Sequence, residues 1–324
     1  MDNGYRYAII GTGAIGGFYG ARLQQAGHEV HYLLRSDYNH VAKHGLTIES
    51  IDGNFTLPQV HAYADVAQMP ACDVVIVALK TTQNHLLPRL LPNVVKSDGV
   101  VLVLQNGLNV EPMVAEIVGS DRVMGGLCFI CSNKVGPGHI RHLDYKAIAL
   151  GEYGPNYKPQ GITERLERIS QDFEAADIPI NQSEDLLKTR WRKLLWNIPF
   201  NGLSVALDAT TDEMISDPAI YQLSTHLMKE VLSVARSYGR DIGDRALHEN
   251  LDHTAKMKPY KTSMKIDFDE GRPLELDAIF GQPIAAAQKH LVNVPLMTSL
   301  YQQLQFLDRR NQGITDSNRS SQES

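Results

Sequence analysis

Apolar runs of strand length alternate with stretches of helical character at the start of the chain. Residues 7–10 form a short apolar run, residues 11–17 are rich in glycine, and residues 18–26 have the composition of a helix. A second apolar run follows at residues 30–34. A strand, a glycine loop, a helix and a second strand within about 30 residues predict a βαβ unit.

The same alternation continues through the first half of the chain. Near-continuous runs of Val, Ile and Leu are typical of parallel strands that are covered on both faces. The segment at residues 109–118 predicts one of the helices that connect such strands. Four further strands are predicted at residues 73–79, 100–105, 123–130 and 145–150.

Helical periodicity replaces the strand pattern after residue 160. Leu166, Ile169 and Phe173 recur at helical spacing, and Thr163 is placed to cap their helix. From residue 183 onward almost every segment has helical character. We therefore predict an α/β fold with a Rossmann-type N-terminal domain (residues 1–182), an all-helical C-terminal domain (residues 183–310) and a polar, disordered tail (residues 311–324).

Charge and composition narrow the choice of partners. Hydrophobic residues make up 43% of the chain, charged residues 21%, and the formal net charge is −6. This acidic balance argues against nucleic acid and acidic membranes as partners, because both require a basic surface. We expect a cytoplasmic protein, since the N-terminus has no cationic leader and no apolar run reaches the ~20 residues that span a bilayer.

Cys128 and Cys131 form a C-x-x-C pattern that could be redox-active or hold a metal. They lie in a predicted strand, where residues three apart point to opposite faces. No second cysteine pair or nearby histidine pair completes a zinc site. We therefore expect buried structural thiols and no metal. His139 and His142 are likewise expected to be strand or turn residues rather than catalytic groups.

A glycine pattern between the first strand and the first helix predicts a dinucleotide site. The first glycine permits a tight turn, the second lets the pyrophosphate approach the backbone, and the third allows close packing of helix and strand. The helix N-terminus then offers free N–H groups to the phosphates. The alternative is a glycine-rich turn without a ligand. The six residues of the pattern are Gly11, Thr12, Gly13, Ala14, Ile15 and Gly16.

The end of the second strand indicates which cofactor binds. An NAD site places an acidic residue there to accept a hydrogen bond from the ribose, whereas this chain has Arg35. Glu29 stands at the start of the strand and Asp37 lies beyond Arg35, so neither is well placed. A guanidinium can pair with a 2′-phosphate, which favours NADPH. A solvated surface arginine is the alternative interpretation.

Residues 186–203 predict an amphipathic helix with an unusual polar face. Arg190, Lys193, Asn197 and Asn201 follow one another at spacings of three and four residues. The pattern alone favours a solvated face. Asparagine is a poor residue for a helix interior, however, and the helix opens the second domain, so a hydrogen-bonding role near a ligand is the competing interpretation.

Several motifs of the chain resemble the ketopantoate reductase family, from the glycine loop to about residue 290. The resemblance covers V-A-L-K-T-T-Q and L-Q-N-G in the first domain. In the second domain it covers W-R-K-L-L-W-N-I-P-F-N, T-S-M-K-I-D and P-L-E-L-D-A-I-F-G. The resemblance implies NADPH-dependent reduction of 2-dehydropantoate (ketopantoate) to (R)-pantoate, a precursor of pantothenate and coenzyme A.

The resemblance also implies roles for single residues. Lys193 corresponds to the general acid of the family, and Glu275 to an acidic residue near it, although a structural ion pair is the alternative for Glu275. Such a lysine would stabilise and protonate the oxygen on which negative charge develops. The cofactor-binding residues would include Lys80 and Gln83, and the substrate-binding residues would be Asn106 (also next to the nicotinamide), Asn197, Asn201 and Ser263.

One departure from the family pattern concerns the substrate helix. Gly202 follows Asn201 where family members often carry proline, and Pro199 stands earlier and should kink the helix. This change keeps a second hypothesis open, in which the chain reduces a different 2-keto acid. A non-catalytic NADP(H)-binding sensor is a third hypothesis. The oligomeric state stays open, with a homodimer as one option.

Overall fold

The computed structural model describes residues 4–314 of the chain. Ten strands form one mixed sheet in the order β4-β3-β9-β8-β7-β6-β1-β2-β5, with β10 paired to β9. The strands are β1 (Tyr7–Ile10), β2 (Val30–Leu33), β3 (Leu46–Ser50), β4 (Phe55–Leu57), β5 (His61–Tyr63), β6 (Cys72–Val77), β7 (Val95–Val103), β8 (Val123–Gly136), β9 (His139–Glu152) and β10 (Ile180–Ser183).

Twelve α-helices accompany the sheet in the described part of the chain. The first five connect strands. The helices are α1 (Ala14–Gln25), α2 (Tyr38–His44), α3 (Leu87–Val94), α4 (Val110–Val118), α5 (Glu164–Ala175), α6 (Leu186–Ala206), α7 (Thr211–Ser216), α8 (Pro218–Ser237), α9 (Asp244–Lys256), α10 (Ser263–Asp269), α11 (Gln282–Lys289) and α12 (Pro295–Asn311).

The parallel part of the sheet confirms the Rossmann-type prediction. Strand β1 lies between β2 and β6, with Ile10 opposite both Leu33 and Val77. Strand β7 extends the sheet, with Val103 opposite Val77, and β8 follows it in parallel. The apolar residues of β1 and β6, and those of β7 from Val100 onward, are buried, as the continuous Val, Ile and Leu runs predicted.

Strands β3, β4, β5 and β10 were not among the predicted elements. They are three to five residues long, and β3 reads L-T-I-E-S, with polar residues between its buried ones. Such short runs carry little periodic signal. Strands β8 and β9 exceed the predicted lengths because they pair with each other as a long antiparallel hairpin of 14 residues a side.

The chain divides into two compact units, which we describe separately. The first takes the chain up to Asn106 together with Val110–Thr189, and the second takes Gly107–Asn109 and the chain from Arg190. Within the described range, the second unit contains helices and no strand. The domain boundary drawn after residue 182 stays a prediction. Of the predicted tail, α12 ends at Asn311 and residues 315–324 lie outside the described residues.

The core of the second unit forms around α6. Trp191, Leu194, Leu195 and Ile198 are buried on the helix, as its apolar face predicted. Helices α8, α9 and α12 bury apolar residues of their own, among them Leu227, Val231, Leu247, Leu251, Met297 and Leu304.

The three cysteines are buried, and none of them forms a disulfide bond within the described residues. Cys128 and Cys131 are both shielded from solvent although a regular strand would point them to opposite faces, and the β8–β9 register shifts between Phe129 and Cys131. Among residues 4–314 no group of His, Cys, Asp and Glu side chains is arranged to hold a metal ion. Nor is any helix of this range both long and apolar enough to cross a bilayer.

Candidate functional site

Four loops leave the parallel strands at the same edge of the sheet. The glycine loop follows β1, Arg35 follows β2, Lys80 follows β6 and Asn106 follows β7. Because β2, β1, β6 and β7 are adjacent and end in register, these loops lie side by side. The carboxyl edge of a parallel sheet is where such folds bind their ligands. The predicted cofactor residues of the first unit are thus brought to one edge.

The glycine loop has the backbone that the pattern requires. Gly11 has φ +103°, and a Cβ there would lie 2.5 Å from the backbone nitrogen of Leu79. A Cβ on Gly16 would lie 2.3 Å from the carbonyl oxygen of Gly11, so only glycine fits. The Thr12 hydroxyl donates to the carbonyl of Leu33 over 3.0 Å and ties the loop to the end of β2.

Gly13 differs from its two neighbours in the pattern. Its backbone is extended, at φ −96° and ψ −154°, and a Cβ there would meet no atom within 4 Å. Neither local strain nor packing therefore demands glycine at this position. The remaining reason for a glycine is the close approach of a ligand to the backbone, as in dinucleotide sites.

The neighbourhood of Arg35 fits a phosphate better than a ribose hydroxyl. Arg35 is exposed. Asp37 is buried, and its carboxylate binds Lys134 over 2.7 Å and accepts from the Gly138 backbone over 3.0 Å. Burial opposes ionisation of Asp37, but these hydrogen bonds outweigh it and lower its pKa. Asp37 thus has a structural role.

The other acidic residue of this strand is engaged in the same way. Glu29 pairs with Arg6 over 2.8 Å and with His31 over 2.9 Å at the start of β2. Neither acidic residue near Arg35 is therefore placed to accept a hydrogen bond from a ribose at the end of the strand, which is the arrangement that an NAD site requires.

One positioning residue of the cofactor edge, Gln105, escaped the sequence analysis. The Gln105 side chain donates to the Leu79 carbonyl over 2.9 Å and to Asn84 Oδ1 over 2.6 Å. These bonds tie the end of β7 to the turn that carries Lys80 and Gln83. Gln105 lies directly before Asn106 in the L-Q-N-G motif, so a buried amide at the end of an apolar strand was the available signal.

The polar face of α6 is buried, so the interpretation as a solvated face is wrong. Arg190, Asn197 and Asn201 are 1%, 3% and 2% exposed, and Lys193 is half-buried. Asn197 Nδ2 and Asn201 Oδ1 are buried and have no hydrogen-bond partner among the described residues. A buried polar atom without a partner costs about 1–3 kcal/mol. One donor and one acceptor, a helical turn apart, are therefore available to a ligand.

Helix α6 continues through Pro199 to Ala206, and the kink expected at Pro199 stays a prediction. Gly202 has a packing role in its second half. A Cβ at this position would lie 2.6 Å from Leu300 Cδ2 and 2.8 Å from Phe280 Cζ. The glycine that departs from the family pattern thus allows α12 and the segment before α11 to pack closely against α6.

The other predicted residues of the second unit lie at the beginnings of helical turns. Glu275 is buried two residues before a π-helical turn at Asp277–Gly281, and its carbonyl accepts from the Ile279 amide over 3.2 Å. Such wide turns are frequent at functional sites. Ser263 is the exposed first residue of α10, which Thr262 caps.

The residues after Asn106 are built into the second unit. The Leu108 amide donates to the Ala278 carbonyl over 2.8 Å, and the Asn109 side chain donates to Gln282 over 2.9 Å. Arg190 donates to the Gly107 carbonyl over 3.3 Å. Gly107 has φ +94°, and a Cβ would lie 2.5 Å from the Ala278 carbonyl oxygen, so this close approach requires glycine.

The contrast between Gly13 and Gly16 gives a test of the cofactor loop. Gly13→Ala should leave the thermal unfolding temperature unchanged but weaken NADPH binding at least tenfold, because the new methyl group occupies space reserved for the pyrophosphate. Gly16→Ala should lower the unfolding temperature, since its Cβ meets the Gly11 carbonyl. Calorimetric titration and thermal unfolding measure both effects. Unchanged NADPH affinity in Gly13→Ala would contradict this role.

Comparison with known proteins agrees with this geometry. The family model described as Ketopantoate reductase PanE/ApbA matches residues 7–155, and that of the PanE/ApbA C-terminal domain matches residues 185–308. A 2-dehydropantoate 2-reductase from Nostoc sp. is 60% identical over 309 residues, which cover 95% of this chain and 97% of that protein.

Solved structures extend the likeness to the fold. The crystal structure of 2-dehydropantoate 2-reductase from Geobacter metallireducens matches with a TM-score of 0.90 and 39% identity, over 93% of this chain and 99% of that one. A dimeric ketopantoate reductase from Staphylococcus aureus shares the fold at 22% identity, with a TM-score of 0.80 over 94% and 99% of the two chains. By its two family models and its relatives over nearly the full length, the chain belongs to the ketopantoate reductase family.

Proposed function

We propose that this chain is an oxidoreductase that reduces 2-dehydropantoate to (R)-pantoate with NADPH, on the way to pantothenate and coenzyme A. The observation that carries the proposal is the buried polar face of α6, where Asn197 Nδ2 and Asn201 Oδ1, on the same face as Lys193, have no hydrogen-bond partner within residues 4–314. A hydroxyl group both accepts and donates hydrogen bonds, so the Asn197 donor and the Asn201 acceptor suit a keto acid that also carries a hydroxyl group.

The cofactor residues fit NADPH. Bound NADPH would supply the hydride. The backbone of Gly11–Gly16 and the N-terminus of α1 would hold its pyrophosphate, and Arg35 its 2′-phosphate. Further contacts are proposed for Lys80, Gln83 and Asn106, which follow the neighbouring strands β6 and β7.

Each residue of the substrate half has a chemical task in this proposal. The Lys193 ammonium stabilises the negative charge that develops on the keto oxygen and donates the proton that completes the hydroxyl group. The amides of Asn197 and Asn201 bind substrate oxygens and the hydroxyl group, and the exposed Ser263 hydroxyl donates to the carboxylate. Glu275, buried before the π-helical turn, orients the lysine.

The second hypothesis, a different 2-keto acid, rests on Gly202. Its close packing against Leu300 and Phe280 leaves little room for the proline ring that family members often carry at this position. The hypothesis of a non-catalytic sensor has no comparable support, because Lys193, both asparagines, Ser263 and Glu275 are all retained in the chain.

The proposal also covers the cellular location and the oligomeric state. We propose a cytoplasmic location, supported by three buried cysteines that form no disulfide bond among the described residues, and a homodimer, supported by the dimeric state of the S. aureus protein. Light scattering behind a sizing column measures the molar mass in solution. A mass near that of one 36.0 kDa chain would contradict the dimer.

The substrate is tested by NADPH oxidation against a panel of 2-keto acids. Ketopantoate should have a kcat/KM at least a hundredfold above that of pyruvate, because a site built to bond a hydroxyl group rejects an analogue that lacks it. Turnover of another acid with ketopantoate inert would favour the second hypothesis. No turnover of any acid, with NADPH still bound, would favour the sensor.

Cofactor choice is tested by Arg35→Ala. The variant should weaken NADPH binding by about 1.5–3 kcal/mol, the scale of charge-assisted hydrogen bonds, and leave NADH binding almost unchanged. Arg89→Ala, which removes an exposed arginine from α3, is the matched control and should affect neither cofactor. Equal losses for NADPH and NADH in Arg35→Ala would assign this residue a structural role.

The general acid is tested by Lys193→Ala and Lys193→Met, the second of which keeps much of the side-chain volume. Both should lower kcat about 100-fold or more and remove the fall in rate at rising pH from the residual activity. NADPH affinity should stay as in the wild type. Lys188→Met, an exposed lysine of the same helix, is the control. A higher KM with normal kcat would instead assign Lys193 to substrate binding.

A further inference from the structure

Two buried hydroxyl groups connect the end of α6 to the start of α10. Ser204 Oγ lies 2.7 Å from Thr262 Oγ1, and both residues are completely buried. Ser204 stands three residues after Asn201 on α6, and Thr262 directly precedes Ser263 on α10. The contact therefore joins two segments that each carry a proposed substrate residue.

The hydrogen bonds around this pair fix the direction of donation. Thr262 Oγ1 accepts from the Lys265 amide over 3.2 Å, and Ser204 Oγ donates to the Asn201 carbonyl over 3.0 Å. Each hydroxyl has a single proton, and that of Ser204 is already given to Asn201. Thr262 must therefore donate to Ser204. The bonds form one continuous relay from the Lys265 amide through Thr262 and Ser204 to Asn201.

A second link acts on the same two segments. The Lys265 ammonium is buried and pairs with Asp208, just beyond the end of α6, over 2.6 Å and with Asp269 on its own helix. The ion pair holds the body of α10, whereas the hydroxyl relay acts at Thr262, the capping residue directly before the helix. Loss of the relay should thus leave α10 attached but free its N-terminal end.

We propose that Ser204 and Thr262 are positioning residues that set the distance between the Asn201 amide and the Ser263 hydroxyl, and so determine which keto acid is bound. This inference rests on the proposed function, which assigns these two groups to opposite parts of the substrate. Ser204 and Thr262 do not contact the substrate themselves. They act by anchoring the start of α10 to α6, whose position the core of the unit fixes.

The experiment compares Ser204→Ala, Thr262→Val and Thr262→Ser. Ser204→Ala breaks the link between the helices but leaves Thr262 as the cap of α10, and Thr262→Ser keeps the relay. Matched controls are Ser224→Ala and Thr211→Val, which remove buried hydroxyl groups that have no hydrogen-bond partner among the described residues. Steady-state kinetics, NADPH titration and thermal unfolding are measured for every variant.

Ser204→Ala and Thr262→Val should raise the KM for ketopantoate five- to tenfold, with kcat within threefold of the wild type and NADPH affinity unchanged. Their preference for ketopantoate over pyruvate should fall by a similar factor. Thr262→Ser and both controls should behave as the wild type. If Thr262→Val does not fold, Ser204→Ala decides the result, because its cap of α10 is intact.

Two results would overturn the proposal. One is an unchanged KM in a folded Ser204→Ala variant. The other is an equal rise of KM in the controls, which would mark a general loss of stability. Failure of the proposed function is seen separately, as a wild-type enzyme that does not reduce ketopantoate. The KM of the variants is then measured with the keto acid that the wild type does reduce. If the wild type reduces none, the amide hydrogen exchange of α10 is measured instead. Ser204→Ala should accelerate this exchange, and Ser224→Ala should not.

Discussion

The parallel register of four strands is the constraint on which the cofactor half of the site depends. Ile10 lies opposite both Leu33 and Val77, and Val77 lies opposite Val103, so the loops after the four strands leave the sheet at the same level. A shift of one residue in any strand would move its loop and turn its side chains to the other face. The Thr12 and Gln105 side chains then fasten neighbouring loops to one another across this edge.

The second unit solves a different problem, which is to hold polar groups inside a packed helical core. Helix α6 buries Trp191 and Phe200 together with Asn197 and Asn201, and one side-chain atom of each asparagine has no hydrogen-bond partner in the described part of the chain. Their desolvation is a cost that the surrounding apolar packing must offset. Natural sequences tolerate such local conflicts mainly where function requires them, which is why the face of α6 is the most informative feature of the unit.

The sequence was most informative where residue type and spacing are dictated by a backbone or a ligand. The glycine pattern, Arg35 and the stripe from Arg190 to Asn201 could all be found by inspection. The spacing of this stripe could not predict whether the stripe is exposed or buried, because polar residues at helical spacing suit both solvent and a buried site. Only the packing of the folded unit decides that question, and packing is not encoded in the period of one helix.

Other features were out of reach because their partners are distant in the chain. Ser204 and Thr262 are common residues, and nothing in either neighbourhood indicates that they meet. The register shift between Phe129 and Cys131 depends on the pairing of β8 with β9. Gly202 departs from a family pattern, but its meaning is visible only when Phe280 and Leu300 are seen against it. Long-range pairing, not local propensity, determines each of these.

The assignment of Gly107–Asn109 to the second unit has a consequence for folding during synthesis on the ribosome. Leu108 is made about 170 residues before its hydrogen-bond partner Ala278. At translation rates of about 5–20 residues per second, the two are separated by roughly ten to thirty seconds. The nascent first unit thus emerges with the loop after Asn106 still lacking its anchor. A prematurely terminated chain keeps the glycine loop but lacks the residues that would hold this segment, and the enzyme is completed only as its last third leaves the ribosome.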